Sequence, residues 1–81
     1  MNKEKLHNEI IDLLKIHLQI TDVHGPVIKH ETFGWDSIKH LMLCFALEDK
    51  YNVSFTKEEL AEINSSEIAA EIVFSKVQGN E

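Results

Sequence analysis

The sequence predicts an all-α fold, a four-helix bundle of three longer helices and one short helix with a long crossover after the first helix. Three separate stretches carry apolar residues at helical three- and four-residue steps. No strand-like alternation appears, and the helix-breaking Gly25, Pro26 and Gly34 all fall in one connecting stretch. A chain of 81 residues has the length of one small domain, so residues 1–81 are predicted to fold as a single unit.

The first helix is predicted from an apolar stripe near the start of the chain. Acids and lysines alternate with its members, which are Leu6, Ile10, Leu13, Leu14 and Leu18. This spacing predicts an amphipathic helix from about Asn2 to Leu18, with one face turned to a core.

The stretch from Gln19 to Asp36 loses this periodicity. It nevertheless keeps several apolar residues: Ile20, Val23, Val27, Ile28, Phe33 and Trp35. A connection this long in so small a domain more often has a function than serves only to join two helices. We therefore expect an ordered crossover that packs over the bundle and contains a short helical turn.

The second helix is predicted to open at Asp36 and Ser37 and to run to about Tyr51. The Asp36 carboxylate can accept N–H bonds from the first turn, as a helix N-cap does. The helix is apolar almost all round: Ile38, Leu41, Met42, Leu43, Cys44, Phe45, Ala46 and Leu47. A domain this small cannot cover such a helix completely, so part of its apolar surface is expected to stay exposed for a partner.

The last two helices are predicted from their capping residues. Thr56 and Glu59 match a capping box, which begins a short helix ending near Ile63. The polar run 64–66 caps the final helix, which we expect to end at about Val77, with the polar residues from Gly79 onward frayed.

The charge of the chain disfavours one class of partner. The net charge is −6, and residues 31–81 hold ten acids against four lysines. All eight basic residues of the chain are lysines. Nucleic-acid binding needs a basic face, so it is disfavoured, whereas partners with basic docking patches fit an acidic surface.

The chain shows no sign of export or of metal binding. Cys44 is the single cysteine, no signal peptide is visible, and no apolar stretch reaches the length of a membrane span, so a cytoplasmic protein is expected. No two histidines lie at helical spacing, so no metal site is predicted; they are His7, His17, His24, His30 and His40.

Few residues offer catalytic chemistry. Ser37 and His40 share a helix face, but nothing supplies an orienting acid or an oxyanion hole. Cys44 lies mid-helix among leucines, where a thiol is usually a buried filler with a raised pKa. No enzymatic activity is therefore predicted. The N-terminus of a helix is, however, a favourable place for a phosphate ester on Ser37.

A longer pattern around this serine resembles the acyl carrier protein family. The resemblance starts at Gly34-Trp35-Asp36-Ser37-Ile38 and continues through Leu41 and Ala46-Leu47-Glu48-Asp49. Downstream it includes Tyr51-Asn52-Val53-Ser54-Phe55, Glu58-Glu59-Leu60 and Ile68-Ala69-Ala70. The first helix and the crossover fit by length and pattern alone.

The resemblance implies a role for each part of this pattern. Ser37 would be the attachment point of phosphopantetheine, transferred from coenzyme A by a phosphopantetheinyl transferase, and Asp36 would orient that site. The arm would hold acyl groups as thioesters for acyl-loading and acyl-transferring enzymes, with the carrier itself a monomer. Exposed partner contacts would be Ile38, Met42, Phe45, Glu48 and Asp49, with ordinary core packing as the alternative for Met42 and Phe45. Leu41, Leu43, Cys44 and Leu47 would turn toward the core or an acyl cavity.

One departure from the fatty-acid-synthesis members favours a specialised pathway. Lys39 and His40 follow the serine where those members have acids, and Lys50 interrupts the acidic end. A docking surface of mixed charge would select other partners, as in polyketide or other secondary-metabolite biosynthesis or a glycan-modifying acyl transfer system, rather than bulk fatty acid biosynthesis.

Two alternatives stay open. The first is an aminoacyl or peptidyl carrier of the nonribosomal peptide or D-alanine transfer type, which shares the arm and the fold. The second is a helical adaptor that binds through its apolar helix and is never modified, in which Ser37 has no special role.

Overall fold

Helices account for most of the chain in a computed structural model that describes residues 2–20, 25–32 and 34–79. Their bounds are Lys3–Leu18 (α1), Ser37–Tyr51 (α2), Lys57–Glu62 (α3) and Ser66–Gly79 (α4), with a 3-10 turn at Lys29–Glu31. The described ranges contain no strand, only one isolated bridge. The all-α prediction is confirmed, as is the helical turn inside the crossover (residues 19–36). The predicted crossover contacts at Val23 and Phe33 lie outside the described residues.

The core lies where α1 packs against α4 and α2. Four of the five residues in the predicted α1 stripe are buried at four-residue steps, which keep them on one face of the helix. The fifth, Leu13, is half-buried and packs against the core. The buried apolar residues are Leu6, Ile10, Leu14, Leu18, Val27, Trp35, Leu43, Cys44, Leu47, Ile63, Ala69, Ala70 and Val73. Two of them, Val27 and Trp35, belong to the crossover, which therefore packs onto the bundle as expected.

Local capping sets most helix ends where the sequence places them. Asn2 accepts the Lys5 N–H at 2.7 Å at the start of α1. Asn52 closes α2 in a left-handed conformation with φ of 55°, which asparagine tolerates better than most residues. The final helix, expected to end at about Val77, ends two residues later, at Gly79. Gly79, where fraying was expected, is therefore still helical. Val77 packs against the core.

The crossover is fastened to the start of α4 by backbone pairing. The Lys29 N–H donates to the Asn64 carbonyl and the Ser66 N–H donates to the Val27 carbonyl, each at 2.8 Å. The fully buried Ser66 Oγ accepts the Val27 N–H at 2.9 Å and lies 2.8 Å from His7 Nε2 on α1. One hydroxyl thus joins α1, the crossover and α4.

A second polar contact holds α3 against α4. Glu59 accepts the Thr56 N–H at 2.8 Å and returns its own N–H to Thr56 Oγ1 at 3.1 Å, which completes the predicted capping box. Lys76 Nζ from α4 lies 2.8 Å from Glu59 Oε1. The bond from Lys76, with the backbone bond from Thr56, lowers the pKa of Glu59 below its ordinary value.

Replacing Ser66 with Ala should destabilise the fold. The change leaves the buried Val27 N–H without an acceptor, which costs about 1–3 kcal/mol. The free energy of unfolding in urea should fall by that amount, and the melting temperature by about 4–8 °C for each kcal/mol in a domain of this size. Ser75→Ala, an exposed site on the same helix, is the control. Equal stability of the two variants would contradict the role of this hydroxyl.

Replacing Glu59 with Gln should reduce stability in a pH-dependent way. Glutamine keeps the capping box but not the charge that pairs with Lys76. Because the folded pKa of Glu59 is depressed, its ionic contribution is present above the unfolded pKa of about 4.3 and is lost as the pH falls through the folded value. We expect a loss of up to about 1 kcal/mol at neutral pH that disappears in acid.

Urea unfolding at neutral and at strongly acidic pH measures this difference. The exposed Glu58→Gln variant on the same helix serves as the control. A Glu59→Gln loss that stays constant across the pH range would show that the ion pair contributes nothing.

Candidate functional site

Ser37 is exposed and is the first residue of α2. Asp36 precedes it with extended backbone, and its Oδ1 accepts the Lys39 N–H at 2.9 Å, so Asp36 is the N-cap that the sequence predicts. The Asp36 carbonyl accepts the His40 N–H at 2.8 Å. The helix start is thus fixed by Asp36 while Ser37 remains exposed to solvent.

The chain reaches this position through a turn that glycine permits. Gly34 has φ of +93°, a conformation that strains other residues. Trp35, which is only 5 % exposed, follows in the core, and its backbone N–H donates to the Thr32 carbonyl at 3.3 Å. Burying Trp35 determines where the crossover ends and therefore where Ser37 begins the next helix.

His40, one turn after Ser37, joins three elements. The Trp35 indole N–H donates to His40 Nδ1 at 3.1 Å, so Nδ1 carries no hydrogen in this arrangement. His40 Nε2 lies 2.7 Å from the Leu60 carbonyl of α3 and donates to it in the matching tautomer. The two rings stack with centroids 6.1 Å apart. We call Trp35, His40 and Leu60 the His40 clasp.

The contacts of His40 decide whether it forms a hydrolytic pair with Ser37. Both ring nitrogens of His40 are bonded to residues other than Ser37, so this pair does not form. The His40 ring turns inward to Trp35 and Leu60. Lys39 is half-buried, and its Nζ donates to the His17 carbonyl at the end of α1 at 3.4 Å.

A contiguous apolar surface runs along the outside of α2. We call it the outer stripe: Ile38, Leu41, Met42 and Phe45, which are 71 %, 46 %, 46 % and 59 % exposed. The expected exposure of Ile38, Met42 and Phe45 is therefore observed. The expectation that Leu41 turns inward is wrong, because three- and four-residue steps place it on the face of Ile38 and Phe45.

The two acidic contacts expected after this stripe differ in their surroundings. Asp49 is exposed. Glu48 is half-buried, and its Oε2 accepts the Phe55 N–H at 2.8 Å, so it also ties the end of α2 to the segment before α3.

Tyr51 links the end of α2 to α1. Its hydroxyl donates to Glu9 Oε1 of α1 at 2.9 Å, and burial together with that bond raises the pKa of the hydroxyl. The sequence patterns gave no sign of this link.

The inner side of α2 is occupied by core residues. Leu43, Cys44 and Leu47 are buried, as expected. Burial, with a smaller contribution from the charge of Glu48, raises the pKa of the Cys44 thiol from 9.0 to about 11. Cys44 is therefore a core residue and a poor nucleophile.

The described ranges contain no group of three or more His, Cys, Asp or Glu residues arranged to hold a metal ion. Within the same ranges, every helix is too short or too polar to cross a bilayer. No family model, curated protein or solved structure matches this chain.

Cys44 should resist alkylation while the chain is folded. A pKa raised from 9.0 to about 11 reduces the thiolate fraction at mildly alkaline pH by about 100-fold. We expect iodoacetamide to modify the native protein at least about 100-fold more slowly than the urea-unfolded protein, with mass spectrometry following the product. Similar rates in both states would contradict the burial of the Cys44 thiol.

Proposed function

We propose that this protein is an acyl carrier whose Ser37 bears a phosphopantetheine arm, in a four-helix bundle of the acyl carrier type. The observation that carries this proposal is the exposed serine at the first position of α2, directly after the Asp36 cap and inside the sequence pattern 34–60 that resembles the family. The carrier brings no catalysis of its own, and its partner enzymes perform each reaction.

The surroundings of Ser37 fit a phosphate ester. The first turn of α2 contains no acidic residue, and the free N–H groups of a helix start attract a phosphate. The nearest carboxylate, on Asp36, already uses Oδ1 to cap the helix. A phosphodiester on Ser37 would therefore meet the positive end of α2 while Asp36 keeps that end in place.

The chemistry asked of Ser37 is a single substitution at phosphorus. In the transferase, Ser37 Oγ loses its proton and forms the phosphodiester, and the nucleoside bisphosphate part of coenzyme A leaves. When attached, the arm supplies a thiol that holds an acyl group as a thioester. The chain's own part is to present Oγ in water, which its exposed position at the helix start allows.

The outer stripe is the proposed contact surface for the enzymes that load and unload the arm. It begins beside Ser37 at Ile38 and ends at Phe45, close to the exposed Asp49. A partner with an apolar recess and a basic rim matches this surface, and the excess of acids over lysines after residue 30 steers such a partner. Leu41 belongs to this surface with Ile38, Met42, Phe45, Asp49 and the partly engaged Glu48.

Loading the arm tests the proposal against the adaptor alternative, which has the same exposed stripe but no modified serine. Incubation with coenzyme A and a broad-specificity phosphopantetheinyl transferase should add one phosphopantetheine unit to the intact mass. Ser37→Ala should abolish the gain, and Ser54→Ala, another exposed serine, should leave it unchanged. No gain with a transferase that loads a known carrier in parallel would favour the adaptor.

A further inference from the structure

The face of α2 that turns into the core begins at Ser37. Ser37, His40, Cys44 and Leu47 follow one another at three- and four-residue steps, so they lie along one side of the helix. Exposure decreases along this series: Ser37 is exposed, His40 is half-buried, and Cys44 and Leu47 are in the core. A group attached to Ser37 therefore has its most direct path to the apolar core along this face, past His40.

The His40 clasp closes that path from both sides. Trp35 bonds one ring nitrogen of His40 from the crossover, and the Leu60 carbonyl of α3 bonds the other. Cys44 Sγ lies 3.8 Å from His40 Nε2, so the next position inward is also filled. Along this path, a hydrocarbon chain could enter only by separating the stacked rings and leaving the indole N–H and the Leu60 carbonyl without their partners.

We propose that the His40 clasp keeps the cargo outside the bundle, so that this carrier holds short or polar groups rather than long hydrocarbon chains. The inference rests on the proposed carrier function and specifies the class of cargo. A long chain is stabilised in proportion to the methylenes it buries, whereas a short or polar group loses little by staying in water. His40 and Trp35 are thus positioning residues that determine specificity by occupying the path inward.

The test compares cargo of two lengths on the complete chain. Phosphopantetheine, acetyl-phosphopantetheine and octanoyl-phosphopantetheine are placed on Ser37 from the matching coenzyme A compounds, and intact mass confirms each product before melting temperatures are measured. We expect the three wild-type forms to melt within about 2 °C of one another. An octanoyl chain buried in the core would instead raise the melting temperature by more than about 10 °C.

The single tryptophan gives a second signal from the clasp itself. Trp35 fluorescence in the wild-type protein should be the same with octanoyl as with acetyl cargo, because neither displaces the indole from His40. Octanoyl cargo that raises the wild-type melting temperature would overturn the proposal, and a shift in the Trp35 emission would show that the chain displaces the clasp.

Opening the clasp should reverse the result. His40→Ala removes the imidazole, and octanoyl cargo should then raise the melting temperature of that variant above that of its unacylated form by more than about 5 °C. His30→Ala, which replaces an exposed histidine of the crossover, should behave like the wild type. Trp35→Phe keeps an aromatic ring but loses the N–H bond, and it takes the place of His40→Ala should that variant not fold.

The outcomes separate the cargo from the carrier function. Octanoyl cargo that stabilises the clasp variant but not the wild type supports the proposal. Loaded protein in which octanoyl stabilises neither the wild type nor the clasp variant overturns the clasp as the barrier while leaving the carrier function intact. Failure to load any arm, which intact mass reveals before melting, overturns the carrier function and the cargo inference with it.

Discussion

The burial of Trp35 is the constraint on which the rest of the site depends. Its indole lies in the core and donates to His40, so the end of the crossover is held against α2. Asp36 and Ser37 are the next two residues, so the buried Trp35 fixes the position at which α2 starts. The same histidine reaches the Leu60 carbonyl, so α3 is held by the contact that places the serine. An exposed Ser37 is thus supported by a buried neighbour two residues before it.

The division of α2 into a buried face and an exposed face explains how so small a domain accommodates an almost wholly apolar helix. One face, with Leu43, Cys44 and Leu47, completes a core that would be too small without it. The opposite face, the outer stripe, remains in water at a cost in hydration that a soluble domain rarely carries without a use. Ser37 stands where both faces begin. An arm attached there could be approached by partners along the stripe while the core stays closed.

Most of the fold could be predicted because its signals are local. Helix periodicity, the caps at Asn2 and Asp36, and the Thr56 capping box each act within a few residues. The bonds from His7 to Ser66 and from His40 to Leu60 could not be predicted, because their partners are 59 and 20 residues apart and meet only after packing. The exposure of Leu41, which was expected to turn inward, follows from its three-residue spacing to the exposed Ile38.

The most direct measurement is the position of the arm on the chain after transferase treatment. Cleavage after Lys29 and Lys39 releases residues 30–39, a peptide that contains both Thr32 and Ser37. Fragmentation of that peptide in a mass spectrometer distinguishes the two hydroxyls. A carrier organised around the start of α2 requires the phosphopantetheine on Ser37. An arm found on Thr32 or elsewhere, or an unmodified peptide from a transferase that loads a known carrier, would contradict it.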